Sequence, residues 1–212
     1  MAKKLAVCTP LPHIQKTIKK ALLDFKKIWK NEKLIYEEMC FCILTPQSSA
    51  KQAFKTIKQL KEHNLLDNGT ALQKEPYCKN VRFFRTKAKR LEEVQNKFPK
   101  NKLKKILTKN GLPNNPIQTR EFLLKEVNGY GLKEASHFLR NIGFGSEIAI
   151  LDRHILKNLV KCKVINEVPK TLSKKTYLEI EESMRLFCEK NKLPFDELDL
   201  IFWSNETGEV LK

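Results

Sequence analysis

The segment VNGYGLKEASHFLRNIG, residues Val127–Gly143, decides the fold because it joins two amphipathic runs through a glycine-rich turn. Apolar residues recur at helical spacing on both sides of NGYG, which predicts helix, hairpin, helix. Gly129 and Gly131 permit positive φ angles and let another backbone approach closely. Amides at the start of the second helix then point outward, where a phosphate oxygen can accept their hydrogen bonds. The pattern favours a device that grips a polyanion backbone, and an ordinary corner between two helices is the alternative.

Lys133 occupies the first turn of the second helix, where the helix dipole disfavours a cation. That field, together with neighbouring basic side chains, favours the neutral amine, which is a nucleophile. His137 and Arg140 follow on the same face at helical spacing. The pattern predicts a reactive lysine, and a solvated surface lysine is the alternative in a chain with 41 Lys and Arg residues.

Asp152 stands nineteen residues after Lys133, in the stretch AILDRHIL. Apolar or small residues precede it and a helical pattern follows, so we expect it to cap that helix and contribute about 1 kcal/mol. The cap fixes the carboxylate at a helix end, where it can take a proton from a nearby amine or stabilise a developing cation. His154 either assists this carboxylate or belongs only to the cap.

The charge of the chain is lopsided, with 41 Lys and Arg against 24 Asp and Glu and a net charge of +17. A polyanion partner held through its phosphates explains the excess, and a lysine-rich composition typical of a thermophile or an AT-rich genome is the alternative. The six cysteines form no CxxC pair and show no iron–sulfur spacing, and we expect Cys40 and Cys42 in the core. Without a signal peptide or an apolar stretch of about 20 residues, a reduced, intracellular, soluble protein is expected.

Helical periodicity recurs along the chain and strand-like alternation is absent, so the predicted class is all-α. The serines of TPQSSA and then Thr119 are expected to cap two of the helices, and KNGLPNNPIQ at 109–118 is the clearest loop. Besides the helices that begin after Gly131 and Asp152, the predicted helices cover residues 13–30, 34–44, 51–63, 80–98, 120–127, 174–190 and 195–204. The apolar run at 34–44 is expected to be a buried central helix.

The NGYG hairpin, Lys133 two residues after Gly131, and LDRH around Asp152 together resemble the helix-hairpin-helix DNA glycosylase superfamily of base-excision repair. Three further stretches narrow the resemblance: CFCILT at 40–45, KEASHFLRN at 133–141, and ELDLIFW with the terminal TGEVLK within 197–212. They look like the compact archaeal and bacterial 8-oxoguanine DNA glycosylase/lyase family, the second Ogg class. The lack of iron–sulfur cysteines argues against the endonuclease III branch.

The resemblance implies two helical lobes with an active-site cleft between them, one formed by residues 34–145 and the other by residues 1–33 with 146–212. It also implies a mechanism in which the lesion base is flipped out of the duplex into the cleft. Lys133 attacks the anomeric carbon of the sugar and expels the base. Asp152 stabilises the sugar cation or manages the amine proton, and the resulting Schiff base permits β-elimination, which nicks the strand.

Residues at positions that match the family's motifs have further implied roles. Phe83, His137 and Trp203 match residues near the base pocket, and the terminal carboxylate of Lys212 is a candidate acceptor for the edge of the base. Ordinary core packing is the alternative for the two aromatic residues. Gln47 stands where this family usually has an Asn–aromatic pair and resembles the glutamine that endonuclease III wedges into the gap left by a flipped base. The expected DNA contacts, with a solvated face as the alternative for the arginines and Lys87, are Gln47, Lys51, Arg82, Arg85, Lys87, Gly129, Gly131 and His154.

The partner that the resemblance implies is double-stranded DNA containing 8-oxoguanine, bound by a monomer in the cytoplasm of a prokaryote, in association with the nucleoid. No cofactor and no metal are expected, while a monovalent cation at the hairpin carbonyls is left open. Two other functions also stay open. A cluster-free glycosylase for oxidised pyrimidines is mildly favoured by Gln47 and opposed by TGEVLK, and a non-catalytic helix-hairpin-helix DNA-binding module would give Lys133 and Asp152 no joint role.

Overall fold

The computed structural model describes residues 12–207, which form eleven α-helices and no strand. This confirms the predicted all-α class. The helices are α1 Pro12–Ile28, α2 Glu32–Leu44, α3 Ala50–Glu62, α4 Ala71–Cys78, α5 Phe84–Lys97, α6 Leu103–Lys109, α7 Pro116–Glu126, α8 Leu132–Asn141, α9 Arg153–Lys161, α10 Lys174–Asn191 and α11 Phe195–Thr207.

The central element is α2, in which nine of thirteen residues are buried. It packs against α1, α3, α5, α6 and α8, and its apolar side chains form the middle of the larger hydrophobic cluster. Cys40 and Cys42 are both fully buried in this cluster, as predicted. Each fully buried large apolar side chain contributes about 1.5–3 kcal/mol, so the buried residues of α2 stabilise the helices packed around it.

A second, smaller hydrophobic cluster lies among α9, α10 and α11. Helix α11 belongs to both clusters, since Leu200 and Ile201 face the larger one while Leu198 and Phe202 face the smaller one. The sequence assigned residues 1–33 to the second lobe, yet α1 places Ile14, among others, in the larger cluster and packs against α2, α8 and α11. The exact lobe boundaries stay a prediction.

One predicted helix start agrees with the structure and another does not. Ser49 caps α3 in a reciprocal arrangement with Gln52, as the TPQSSA stretch predicted. The prediction that Thr119 is a cap was wrong, because α7 begins three residues earlier at Pro116 and is capped by Asn115. Proline at the first helical position fits this start, and Thr119 is buried with its hydroxyl donating to the Asn110 carbonyl.

Two short helices were missing from the sequence prediction. Helix α4 contains Pro76, a residue that disfavours a helix interior, and α6 has only seven residues. Neither segment is long enough to display a clear apolar period, so tertiary packing rather than local pattern determines them.

A buried polar network connects the two hydrophobic clusters. Arg120 of α7 makes a bidentate ion pair with Glu181 of α10, with Nη1–Oε1 and Nη2–Oε2 distances of 2.6 and 2.8 Å. Arg120 also donates to the hydroxyl of Ser136 on α8 at 3.2 Å, and the same Glu181 accepts from the amide of Ala149 at 2.6 Å. Tyr177 of α10 donates to the Ala149 carbonyl. The chain that leads to Asp152 is therefore tied to both α8 and α10.

We predict that Arg120→Met, which keeps volume but removes the charge, lowers the free energy of unfolding by about 3–5 kcal/mol, because Glu181 is left buried without its cation. Urea denaturation measures this change. The control is Glu62→Ala, which removes an exposed pair with Lys58 and should cost less than about 1 kcal/mol. Equal losses in the two variants would show that the buried network does not hold the clusters together.

Candidate active site

A cavity of ≈ 520 Å³ lies where the α2–α3 turn, α8, the start of α9 and α11 meet. It is large enough to enclose most of a small ligand. Six of the residues singled out from the sequence line it: Lys51, Lys133, His137, Asp152, His154 and Trp203. The structure thus brings together side chains that are far apart in the chain, including the predicted catalytic pair.

Lys133 is the second residue of α8, and its side chain is about a quarter exposed. Its Nζ lies 3.8 Å from Oε1 of Glu134, while Oε2 of the same glutamate accepts from the amide of Gly131 at 3.2 Å. Glu134 therefore fixes the first turn of the helix and places a negative charge beside the amine.

Asp152 caps α9, as the sequence predicted. Its Oδ1 accepts from the amides of His154 and Ile155, both at 2.8 Å. These two bonds hold the carboxylate at the helix start, where it faces the cavity that Lys133 also lines. An amine and a carboxylate in one cavity can exchange a proton or share a developing positive charge.

The hairpin before α8 depends on glycine at one of its two predicted positions. Gly129 has a φ of +90°, and a Cβ atom there would lie 2.6 Å from the guanidinium of Arg90. Gly131 does not use the positive φ that glycine permits, and its φ of −101° is one that any residue can adopt. Between them, Tyr130 is buried and donates to the Met39 carbonyl at 2.9 Å, which attaches the hairpin to α2.

Aromatic and imidazole rings form part of the cavity wall. The ring of His154 meets Trp203 edge to face, with 5.0 Å between centroids. On the opposite helix, His137 meets Phe41 in the same way at 5.9 Å. His154 therefore takes part both in the cap, through its amide, and in the wall, through its ring.

The assignment of Phe83 to the pocket was wrong for the described structure. Phe83 precedes α5 with a left-handed φ of 57° and is 53 % exposed on the surface. Val81, two residues earlier, takes the buried position in this turn. The guanidinium of Arg82 lies over the Phe83 ring at 4.8 Å, so this aromatic side chain belongs to a basic exposed surface.

Lys87 was predicted to contact phosphates, and that prediction was also wrong, since only 1 % of the residue is exposed. Its Nζ donates to the carbonyls of Leu44 and Pro46 at 2.7 and 2.8 Å, and to Oγ of Ser48 at 3.0 Å. Burial, together with the nearby Arg90, lowers the pKa of Lys87 to about 8. The amine is engaged within the protein and does not face solvent.

The other expected DNA contacts are on the surface. Gln47, Lys51, Arg82 and Arg85 are exposed, and Lys51 lies at the cavity. Gln47 has a left-handed φ of 53° in the turn between α2 and α3. Their roles stay predictions, as does that of Lys212, which lies outside the described residues.

Arg140 and Asp199 line the cavity as well, and the sequence did not single them out as site residues. They form a buried ion pair with 3.2 Å between Nη2 and Oδ2. Burial raises the pKa of Asp199, Arg140 opposes this shift, and the nearby Asp152 adds to it. Two features of the sequence could have identified this pair. Arg140 stands seven residues after Lys133 on one helix face, and Asp199 interrupts the apolar stretch LDLIFW.

Among residues 12–207, no group of three or more His, Cys, Asp or Glu side chains could hold a metal ion. None of the eleven described helices has the length and hydropathy required to cross a bilayer.

Comparison with known proteins identifies the family. The family model described as 8-oxoguanine DNA glycosylase matches residues 18–193. The chain belongs to this family. It is 50% identical to the 8-oxoguanine DNA glycosylase/AP lyase of Fusobacterium nucleatum, over 92% of this chain and 90% of that protein. It is 35% identical to the protein of the same name from Methanocaldococcus jannaschii, over 94% and 93%.

Solved structures agree with this result. The crystal structure of the Methanocaldococcus jannaschii 8-oxoguanine glycosylase/lyase with 15mer DNA containing 8-oxoguanine superimposes with a TM-score of 0.83. The two chains are 37% identical, and the match covers 94% of this chain and 93% of that one. The 8-oxoguanine DNA glycosylase of Thermotoga maritima gives a TM-score of 0.81 at 29% identity, over 94% and 93%. The family, the helix-hairpin-helix fold and the glycosylase/lyase activity inferred from the sequence are thereby confirmed.

We predict that Gly129→Ala lowers the free energy of unfolding by at least about 1–2 kcal/mol, because an L-residue is strained at this φ and its Cβ would clash with Arg90. The distorted hairpin should also weaken binding to a duplex that contains a reduced abasic-site analogue. Urea denaturation and fluorescence anisotropy measure the two effects.

Gly131→Ala is the matched control, because Gly131 has an ordinary φ and a Cβ there would approach only Oε2 of Glu134, at 3.2 Å. Its change in stability should stay below about 0.5 kcal/mol. If both alanine variants lost the same stability, the special backbone of Gly129 would not be what shapes the hairpin.

Proposed function

We propose that this chain excises 8-oxoguanine from double-stranded DNA and then nicks the strand, with Lys133 as the nucleophile and Asp152 as its partner. The observation that carries the proposal is the shared cavity, into which both side chains open although nineteen residues separate them. The family to which the chain belongs supports the choice of an oxidised purine over an oxidised pyrimidine.

The proposed reaction takes place at C1′ and C2′ of the sugar. The Lys133 amine attacks C1′ of the extruded nucleotide, and the bond from C1′ to the base breaks with its electron pair leaving on the base. Asp152 stabilises the positive charge that develops on the sugar and accepts the proton that the amine must lose. The sugar ring opens to a Schiff base, a C2′ proton is removed, and the 3′ phosphate leaves in a β-elimination. Water then releases Lys133.

The helix start supports the role of Lys133. Lys133 lies in the first turn of α8, where the amides carry the positive end of the helix dipole. The Glu134 carboxylate lies 3.8 Å from the amine and can receive or relay its proton. Lys133 therefore has two carboxylates at hand, one in its own helix turn and one across the cavity.

The cavity wall suits a flat heterocycle. Trp203 and His137 both line the cavity, and stacking of a base on an aromatic ring contributes about 1–3 kcal/mol. Enclosure of the base between rings also removes water from around the reacting sugar, which strengthens the interactions of Lys133 and Asp152 with it.

Asp199 supplies the hydrogen-bond acceptor that an oxidised purine requires. The lesion carries a ring N–H that guanine lacks, and a carboxylate is a strong acceptor for such a donor. The Arg140 guanidinium, 3.2 Å away, favours the charged carboxylate and opposes the burial that raises the pKa of Asp199. We assign to Asp199 a contact with the edge of the base and to Arg140 the positioning of Asp199.

The exposed residues around the cavity support a grip on the duplex. The hairpin amides before α8 and Lys51 suit phosphate contacts that are independent of sequence. Gln47 and Phe83 lie on two turns that are joined by the bond from the Arg82 amide to the Ser48 hydroxyl, and both are suited to fill the gap that the flipped base leaves. Arg82 and Arg85 extend the same basic surface.

Four further sequence predictions stay predictions. They are base reading by the Lys212 carboxylate, a monovalent cation at the hairpin, the monomeric state, and a location in the cytoplasm beside the nucleoid.

We predict that Lys133→Gln loses the covalent adduct that borohydride traps on a duplex containing 8-oxoguanine, while its binding to that duplex survives. The amide has no lone pair basic enough to attack C1′. Gel analysis after reduction measures the adduct. Lys51→Gln is the matched variant, because Lys51 also lines the cavity, and at saturating DNA it should still be trapped.

The same trapping assay separates the three functions. An adduct on thymine glycol but not on 8-oxoguanine would replace the proposal with an oxidised-pyrimidine glycosylase. No adduct on any substrate, an abasic site included, would leave only a DNA-binding module. Trapping of Lys133→Gln would mean that another amine is the nucleophile.

We predict that Asp199→Asn slows excision of 8-oxoguanine by roughly ten- to a hundredfold, since the amide oxygen turns toward Arg140 and leaves its NH₂ group opposite the N–H of the base. Single-turnover excision measures this loss. β-Elimination at a preformed abasic site, where no base is present, should change by less than about twofold. A loss of the same size in both assays would remove Asp199 from base reading.

A further inference from the structure

Lys87 lies next to the cavity without lining it. Its ammonium has three hydrogens, and three acceptors surround it at 2.7–3.0 Å: the Leu44 carbonyl, the Pro46 carbonyl and the Ser48 hydroxyl. Burying a lysine is costly unless its hydrogens find such partners. The match of three donors to three acceptors indicates that the amine is held in a defined position.

Its acceptors belong to one short segment at the C-terminal end of α2. Leu44 is the last residue of that helix, whose carbonyls carry the negative end of the dipole and favour a cation. Pro46 and Ser48 belong to the turn that follows, and Ser48 lines the cavity. Lys87 therefore fixes the turn that forms one edge of the site.

Ser48 extends this connection to a second turn. Its hydroxyl accepts from the amide of Arg82 at 2.9 Å, directly before Phe83. One buried ammonium thus ties together the turn that carries Gln47 and the turn that carries Phe83. We refer to Lys87, Ser48 and their hydrogen bonds as the brace.

Both turns hold an uncommon backbone. Gln47 and Phe83 have φ angles of 53° and 57°, although neither is a glycine, and both side chains are exposed. A left-handed conformation is unfavourable for an ordinary residue, so it persists only where the surroundings impose it. The brace provides that constraint at two positions whose side chains are exposed.

We propose that Lys87 is a positioning residue for base extrusion, because the brace aims Gln47 and Phe83 together at the duplex, where they occupy the gap beside the extruded nucleotide. The inference rests on the proposed function. Lys87 itself touches neither DNA nor the reacting atoms, and its effect reaches the reaction only through the two turns.

A second buried lysine offers a matched control. Lys74 of α4 is fully buried, and its amine donates to the carbonyls of Leu65 and Gly69, to the carbonyl of Asn68 and to the side chain of Gln95. It holds a loop as Lys87 does, but none of these residues lines the cavity. A purely structural lysine should therefore behave as Lys74 does.

The experiment compares Lys87→Met with Lys74→Met. Both should lower the melting temperature. Lys87→Met should slow single-turnover excision from the 8-oxoguanine duplex by about ten- to a hundredfold, as expected when positioned groups shift by about 1 Å. It should also reduce the fluorescence rise of a 2-aminopurine placed next to the lesion, which reports unstacking. Lys74→Met should excise and unstack at the wild-type rate.

A third substrate separates base extrusion from the chemistry at the sugar. β-Elimination at an abasic site in single-stranded DNA needs no gap filling, so Lys87→Met should retain that rate within about twofold. If Lys87→Met does not fold, Ser48→Ala is the substitute. This variant loses the bond to the Arg82 amide but keeps both carbonyl contacts of Lys87. It should lower both the rate of duplex excision and the 2-aminopurine signal.

The outcomes are distinguishable. Excision at the wild-type rate by Lys87→Met would overturn the proposal. So would equal losses of excision rate in Lys87→Met and Lys74→Met, or a loss of β-elimination by Lys87→Met on single-stranded abasic DNA as large as its loss of excision on the duplex. Failure of the wild-type protein to act on any abasic substrate would refute the proposed function instead.

Discussion

The buried ion pair between Arg120 and Glu181 is the constraint on which the site depends. Arg120 lies on α7 and also bonds to Ser136, on the helix that carries Lys133, while Glu181 lies on α10 and holds the amide of Ala149, three residues before Asp152. An ion pair removed from water is stable only with good geometry and further hydrogen bonds. Here the bidentate contact is joined by two extra bonds, which tie the helix that carries Lys133 to the segment that leads to Asp152, and both residues line one cavity.

The sequence predicts those parts of the fold that depend on neighbours in the chain. The spacing of apolar residues determines α8, and the position of Asp152 before a helix determines its cap, so both were predictable. Resemblance to a family added the link between Lys133 and Asp152. Contacts between residues far apart in the chain were not predictable in the same way, and the pair of Arg140 and Asp199, 59 residues apart, was missed for this reason.

Lysine residues illustrate the limit of prediction from local sequence. In a chain with 41 basic residues, local pattern cannot tell which few are buried. Lys87 has an exposed-looking context in RTKAKR, yet the carbonyls of α2 and its following turn surround it. Phe83 shows the converse, since an aromatic residue normally taken for core lies on the surface because Val81 fills the interior. In both cases the environment created by distant segments decides what a residue does.

The proposed mechanism requires that the Lys133 amine forms the covalent bond to the sugar. The most direct test is to trap the wild-type protein with borohydride on an 8-oxoguanine duplex, digest both components and locate the modified residue by mass spectrometry. We expect the sugar remnant on the peptide that contains Lys133 and on no other. A remnant on a different lysine or on the amino terminus would contradict it.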